Sequence, residues 1–520
     1  MIEPTKPNKL KREDALQAVQ QQANESGLEF FHDRWQTAYV TIPVGNPPNH
    51  RETWKIESPE LKRWVEYVLF KKFGDVSFAP FILERFRLFA LYEGEEHNVY
   101  IRCAQQNGVL YVDMCNPEWQ VLRIDRTGWQ VIDDPKIKFR RTLGMTSLPQ
   151  PFRGGDLQEL LNYLNIHNGS SILLLAWLTY ALRPDVPCPI LALSGVQGSG
   201  KSTATKILRS LIDPSLAELT GSPRSDRDLK FQLSNSRLIA MDNLSREQIT
   251  PAISDTLCTA ATGGSHRERK YFTNDGSERL FTFQNAIIVN GIEELPQRPD
   301  LLDRAILVHL DPIPQDRRRD PTEVMESFDQ MQPQLFGALL DIISVGLRNI
   351  DHVDLPYSPR MKNFAKWGVA IETALGYKPG TFLAAYRNNI EDANAVAIEA
   401  SPIAPLVNDF LQDCSIQQER RLRFHGTAHE LLTALTAHAE QSRFKLVLKH
   451  PKFPKAANQL SAEISRIEPN LKKMGVVVER SRTNTTRFIT LTLALSDVGD
   501  SPAAVTVTTE ALEPEAVMAA

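Results

Sequence analysis

At 520 residues the chain has room for roughly three domains of about 150 residues each. Its 42% hydrophobic and 23% charged residues exclude a collagen-like chain, a disulfide mini-protein and wholesale disorder. A net charge of −4 argues against a uniformly basic nucleic-acid coat and leaves room for a local basic face.

Five cysteines (Cys103, Cys115, Cys188, Cys258, Cys414) lie far apart without a C-x-x-C pair. They encode neither a zinc site nor a disulfide framework, and a reducing compartment fits them. The longest apolar run, residues 172–182, is about half the ~20 residues a bilayer span needs, so it reads as a buried core helix. The N-terminus carries no apolar signal region. The expectation is a cytoplasmic protein with no membrane contact.

Residues 1–28 form a polar, Gln-rich segment compatible with a short surface helix. A mixed α/β domain is expected over 29–148, with strands at 36–43, 99–103, 109–114, 119–124 and 129–132. Between them lies a helix ending at Phe73, with Ser58 as N-cap and Pro59 at its first position. No carboxylate cluster suited to metal chemistry is visible there, so a primase activity is not assigned to this domain. Helices follow at 156–166 and 170–182, and from Cys188 to Pro312 apolar strands alternate with helices. This α/β core, with a helical continuation, is expected over 156–390; a basic domain follows at 402–495 and a disordered acidic tail at 496–520.

The decisive motif is Gly195-Val196-Gln197-Gly198-Ser199-Gly200-Lys201-Ser202-Thr203, which fits G-x-x-x-x-G-K-[ST]. A buried strand at 189–194 precedes it and helical spacing follows. Glycines let backbone N–H groups curl around a β-phosphate, and the helix turns its positive end to the same anion. Lys201 supplies charge for the β/γ oxygens and Ser202 a hydroxyl ligand for Mg²⁺, so ATP and Mg²⁺ are the expected cofactors.

A second buried strand ends in Asp242, where a P-loop ATPase holds its Mg²⁺ shell; capping the strand end is the structural alternative. The next residue is Asn243, where many ATPases place Glu. Asn accepts no proton at neutral pH, although it can orient a water. Glu247 or Asp255 could supply the carboxylate, and the base stays open. A third strand ends in Asn290, suited to sensing a γ-phosphate or to starting the turn at Gly291. Downstream, Arg298-Pro-Asp-Leu-Leu-Asp-Arg304 offers Arg304 to a neighbouring subunit's γ-phosphate, or to a surface ion pair with Asp300 or Asp303.

The series GVQGSGKST, LIAMDN, TGGSHRER, NAIIVN and RPDLLDRA resembles AAA+ ATPases related to superfamily 3 helicases, of the replication-associated type found in phages, plasmids and integrative elements. The text on both sides is similar to that family as well. The resemblance implies a P-loop core of AAA+ type in an α/β fold. It also implies a homo-oligomeric ring, hexameric by expectation, with ATP sites between subunits and single-stranded DNA in its channel. It assigns Lys201 and Ser202 to phosphate and metal, Asp242 to Mg²⁺, Asn290 to sensing and Arg304 to a trans finger. The departure at Asn243 bears on hydrolysis rate. A separate primase as partner stays open.

Between the second and third strands, Arg267, Arg269, Lys270 and Tyr271 lie in a hairpin pattern around an Asp-Gly turn. Cations beside an aromatic suit a single-stranded backbone and a stacked base. In the resembled helicases an insertion here carries the DNA-contacting loop; intersubunit ATP-site residues or a solvated hairpin are the alternatives. From Arg443 to Arg487, eleven Lys/Arg face three acids, a local excess of +8. Two helices and a basic hairpin suggest a winged-helix-like domain that reads duplex DNA through Lys455, Arg482 and Arg487. A protein-binding winged helix is the other reading. The favoured function is a DNA-dependent ATPase and replicative helicase of a mobile element. An ATP-switched initiator or loader that unwinds nothing comes second, and a small-molecule kinase last.

Overall fold

The computed structural model describes residues 11–45, 48–133, 136–167, 169–245, 248–269, 278–291, 298–399, 401, 403–417, 423–450, 453–483 and 486–493. Two compact units divide the chain, Met1–Ala397 and Ile398–Ala520.

The first unit opens with α1 (Arg12–Glu25), β1 (Glu29–His32), β2 (Ala38–Gly45), β3 (Pro48–Lys55), α2 (Pro59–Phe73), α3 (Ala79–Tyr92) and the short β4 (Glu95–Glu96). The strands form one sheet in the order β3-β2-β1-β4, over which the helices bury Val19, Leu61, Val65, Ile82 and Phe86. The start of α2 is as expected: Ser58 accepts the Leu61 N–H and Pro59 takes the position where no amide donor is needed. Sequence reading missed α3. Exposed Phe89 and Tyr92 blur the apolar stripe that marks an amphipathic helix.

Next come β5 (Val99–Tyr100), β6 (Cys103–Gln106), β7 (Val109–Asp113), β8 (Val121–Asp125), β9 (Gly128–Ile132) and β10 (Lys138–Phe139). The single strand expected at 99–103 is broken, because Arg102 sits at φ +59°, outside any extended conformation. The sheet β6-β7-β8-β9 does not close a domain of its own. Its Leu110, Val112, Leu122 and Ile124 join the large core formed with later helices. Trp129 Nε1 donates to Asp341 Oδ1 at 2.8 Å, and Ser344 Oγ donates to the Asp125 carbonyl at 2.6 Å. The boundary expected near residue 148 therefore does not separate two cores. Buried Arg102 makes the same join, donating from Nε to Asp213 Oδ1 at 2.8 Å. Asp213 Oδ2 in turn accepts the Arg237 and Leu238 N–H groups.

Residues expected as a helix at 156–166 form a 3₁₀ helix, Leu157–Tyr163, after an Asp156 cap. The apolar run becomes α4 (Ser171–Ala181), buried on all sides as an apolar core helix should be. Then follow β11 (Ile190–Ser194), α5 (Lys201–Ser210), α6 (Asp226–Leu233), β12 (Leu238–Met241) and α7 (Pro251–Thr262). After these come β13 (Gly264–Arg269), β14 (Glu278–Phe283), β15 (Ala286–Gly291), α8 (Pro299–Leu302) and β16 (Ala305–His309). Strands β12-β15-β11-β16 make one parallel sheet, so β15 lies between the strand that enters the glycine loop and the strand that ends at Asp242. Helices α9 (Pro321–Asn349), α10 (Lys362–Ile371) and α11 (Thr381–Glu399) follow.

The second unit contains α12 (Ala404–Gln417), β17 (Arg423–Gly426), α13 (Ala428–Gln441), α14 (Ala457–Lys473), β18 (Val476–Arg482) and β19 (Arg487–Leu493). Its antiparallel sheet runs β17-β19-β18. Helix α13 begins in a capping box, Thr427 and Glu430 each satisfying the other's backbone. Sequence reading gave α13, α14 and the β18–β19 hairpin but not α12 or β17. The tail at 496–520 lies outside the described residues.

Among the described residues no helix is long and apolar enough to cross a membrane. Cys103, Cys115, Cys188 and Cys258 are free thiols. Burial pushes Cys103 and Cys188 up to about 12.

Candidate functional site

The loop between β11 and α5 lies at the C-terminal end of the parallel sheet, where such sheets open their crevice. Two of its glycines are required, one by contact and one by backbone conformation. A Cβ on Gly195 would stand 2.7 Å from both the Leu310 carbonyl oxygen and Ser199 Oγ. Gly198 holds φ +81°, a left-handed conformation that side chains disfavour. Helix α5 starts after Gly200 with no side-chain cap, so its first amide groups are left for another acceptor.

Lys201 folds back over the loop, its Nζ donating to the carbonyls of Gly195 at 2.7 Å and Val196 at 2.9 Å. Burial lowers the Lys201 pKa from its ordinary value, and the Asp242 carboxylate opposes that shift. Ser202 Oγ donates to Asp242 Oδ1 at 2.8 Å, joining two residues 40 positions apart. Ser202 is exposed and Asp242 half-buried, so both oxygens are open to solvent. A hydroxyl and a carboxylate at contact distance are hard oxygen donors of the kind Mg²⁺ takes alongside phosphate and water. The uncapped helix start, the glycine cradle and this oxygen pair fit a nucleotide with its metal. Val196 and Gln197 are exposed at the loop's tip, Ser199 is buried, and Thr203 is half-buried on α5.

Three successive amides fix the end of β12. Asp242 N–H donates to the Thr220 carbonyl at 2.8 Å and Leu244 N–H to the Asn290 carbonyl at 2.9 Å. Asn243 N–H donates to Asn290 Oδ1 at 2.9 Å. The buried Asn290 amide is engaged at both ends, because its Nδ2 donates to Thr205 Oγ1 of α5 at 2.8 Å. Asn290 thus ties the glycine-loop helix to the strand end that carries Asp242. Thr205 was invisible to sequence reading, since no pattern relates it to position 290.

Asn243 is exposed at φ +52°. Asparagine tolerates this left-handed region better than glutamate, which gives a backbone reason for the residue found there. Of the alternative bases, Asp255 pairs with Arg298 Nη2 at 2.9 Å, and Glu247 lies outside the described residues.

Arg298 also reaches the Asp300 carboxylate at 3.2 Å. Arg304 instead donates from Nη1 to the Asp300 backbone carbonyl, and its buried Nε has no hydrogen-bond partner. The hairpin is present: β13 pairs with β14 from Gly264–Phe283 to Arg269–Glu278. Arg267 is exposed and lies opposite Leu280. Lys270 and Tyr271 lie outside the described residues, as does the Asp-Gly turn. In the second unit Arg482 and Arg487 form the last pair of the β18–β19 hairpin, both exposed, and Lys455 is exposed just before α14.

Residues 156–395 match the family model of the actinomycete integrative conjugative element replication protein, and residues 403–505 match that of the AICE RepA C-terminal domain. Over these segments the chain is a replication protein of the mobile-element type. The two matches fall on the helices and parallel sheet around the glycine loop and on the second unit. No curated protein matches the chain. Among solved structures, the A form apo structure of the NrS-1 C terminal region is 13% identical with a TM-score of 0.44, over 92% of this chain and 100% of that one. An apo structure of the same region gives 13% identity and a TM-score of 0.41, over 93% and 100%.

Proposed function

We propose that this replication protein is a DNA-dependent ATPase of P-loop, AAA+ type, and that it drives strand separation as the replicative helicase of its element. The observation that carries this reading is the Ser202–Asp242 contact at 2.8 Å beside Lys201. It sets two oxygen donors and one cation around a glycine cradle at the end of a parallel sheet. Lys201 would exchange its carbonyl partners for phosphate oxygens. Ser202 and Asp242 would part to admit Mg²⁺, which when bound offsets charge on the transferred phosphoryl group. Asn290 holds the two halves in register. Arg304, with an unpartnered N–H, is suited to completing the site of the next copy in a ring.

The element order of the second unit, a helix, a strand, two helices and a hairpin, supports a winged-helix reading. Its basic hairpin tip supports duplex binding. Arg267 on the β13–β14 hairpin supports a single-strand contact.

One observation favours a slower, switch-like protein that loads or assembles on DNA without unwinding it. Position 243 carries an exposed amide on a left-handed backbone, and Asp255 is engaged by Arg298. ATP turnover with and without single-stranded DNA, alongside Lys201→Ala, separates these readings from no ATPase at all. Strand displacement on a forked duplex then separates motor from switch. Stimulated turnover lost in Lys201→Ala, with displacement, supports the helicase. Stimulated turnover or binding without displacement leaves the loader.

A further inference from the structure

The segment after β16 runs across the glycine loop and faces it at three points. A Cβ on Gly195 would meet the Leu310 carbonyl at 2.7 Å, one on Gly198 would meet Arg318 Nη2 at 3.2 Å, and one on Gly200 would meet Ile313 Cδ1 at 3.5 Å. Both ends of this segment are anchored. Leu310 N–H donates to the Ser194 carbonyl at 2.9 Å and Asp311 N–H to the Asn165 carbonyl at 3.0 Å. At the far end Asp320 accepts the Thr322 N–H at 2.7 Å and caps α9. A 3₁₀ turn, Gln315–Arg317, sets the arginine that follows it.

Arg318 is exposed, and its hydrogen bond is a long one from Nε to the Ile313 carbonyl at 3.4 Å. Among the described residues no carboxylate pairs with it. Arg298 is held by two carboxylates and Arg304 by a backbone carbonyl. A guanidinium offers a planar fork of donors that matches phosphate oxygens. Lys201 Nζ occupies the carbonyls of Gly195 and Val196 at the start of the loop, whereas Arg318 stands at Gly198 in its middle. The two cations therefore serve different parts of one cradle.

We propose that Arg318 is a nucleotide-binding residue supplied by the same chain, its guanidinium clasping a phosphate oxygen that a nucleoside diphosphate retains. This rests on the nucleotide reading above and adds a second cation to it.

The test is equilibrium titration of the full chain with fluorescent ADP and with a fluorescent, slowly hydrolysed ATP analogue, both with Mg²⁺. Wild type is compared with Arg318→Ala, Arg318→Lys and the neighbouring Arg319→Ala, with thermal midpoints recorded to confirm folding. An exposed charge-assisted hydrogen bond predicts about tenfold weaker binding of both nucleotides in Arg318→Ala. Arg318→Lys should recover part of that loss, and Arg319→Ala should bind as wild type does. Wild-type affinity in Arg318→Ala overturns the proposal. So does an equal loss in Arg319→Ala, which would reduce the effect to general charge, or a loss confined to the triphosphate. Failure of the wild-type chain to bind either nucleotide removes the nucleotide reading itself, and this proposal with it.

Discussion

Asn290 joins two parts of the site through both ends of one buried amide, and removing it should cost stability before any nucleotide is present. In Asn290→Ala the bonds to Asn243 N–H and Thr205 Oγ1 are lost. At about 1 kcal/mol net each, with some further cost for the volume removed, the loss is about 2–3 kcal/mol. Set against a stability of roughly 5–15 kcal/mol, this is a large fraction. Asn290→Asp keeps the shape and the acceptor toward Asn243. Thr205 Oγ1, however, already donates to the Lys201 carbonyl at 2.9 Å and can only accept from position 290. An ionised carboxylate supplies no proton, so two acceptors would face each other in a buried site. Asn290→Asp should therefore be the less stable of the two variants. Thermal unfolding of the nucleotide-free chain measures this directly. At about 2–4 °C per kcal/mol, the Ala variant should melt several degrees below wild type. Both variants melting with wild type, while losing ATP turnover, would refute the tethering role and leave pure phosphate sensing.

Arg102→Met leaves Asp213 without its buried guanidinium and should destabilise the first unit by about 3–5 kcal/mol, read by denaturant or heat. Ser202→Ala should leave the fold intact and weaken Mg²⁺-dependent nucleotide binding far more than Mg²⁺-free binding, read by titration with and without chelator. Arg482→Ala with Arg487→Ala should weaken duplex binding and flatten its log–log salt slope by about 1.8, at about 0.9 per phosphate contact. An unchanged slope retires the hairpin tip as a backbone contact.

Much of the site could be read because its signals are local. The glycine loop, its flanking strand and the start of α5 lie within some twenty consecutive residues, and each residue type has its own physical reason. Ser58 with Pro59 marks a helix start in the same short-range way. What the sequence hid depends on distance along the chain. Arg102 reads as an ordinary strand residue until its left-handed backbone and its partner 111 positions away are seen. That contact, with the Trp129–Asp341 bond, welds a sheet expected in a separate domain into the main core. Asn290 was picked out for its place at a strand end, but its partner Thr205 lies 85 positions back on a helix with no motif to mark it. Arg318 stood in a visible run of three arginines, and nothing local tells which one reaches Gly198.

The nucleotide reading stands or falls on Lys201, Ser202 and Asp242 forming one site for a nucleotide and its metal. Calorimetric titration of ATP with Mg²⁺ into wild type and into Lys201→Ala tests it most directly. Binding should be saturable, one nucleotide per chain or fewer if copies share sites, and should disappear in Lys201→Ala while the thermal midpoint of the nucleotide-free chain is kept. Absence of binding in wild type, or equal binding in Lys201→Ala, would contradict it.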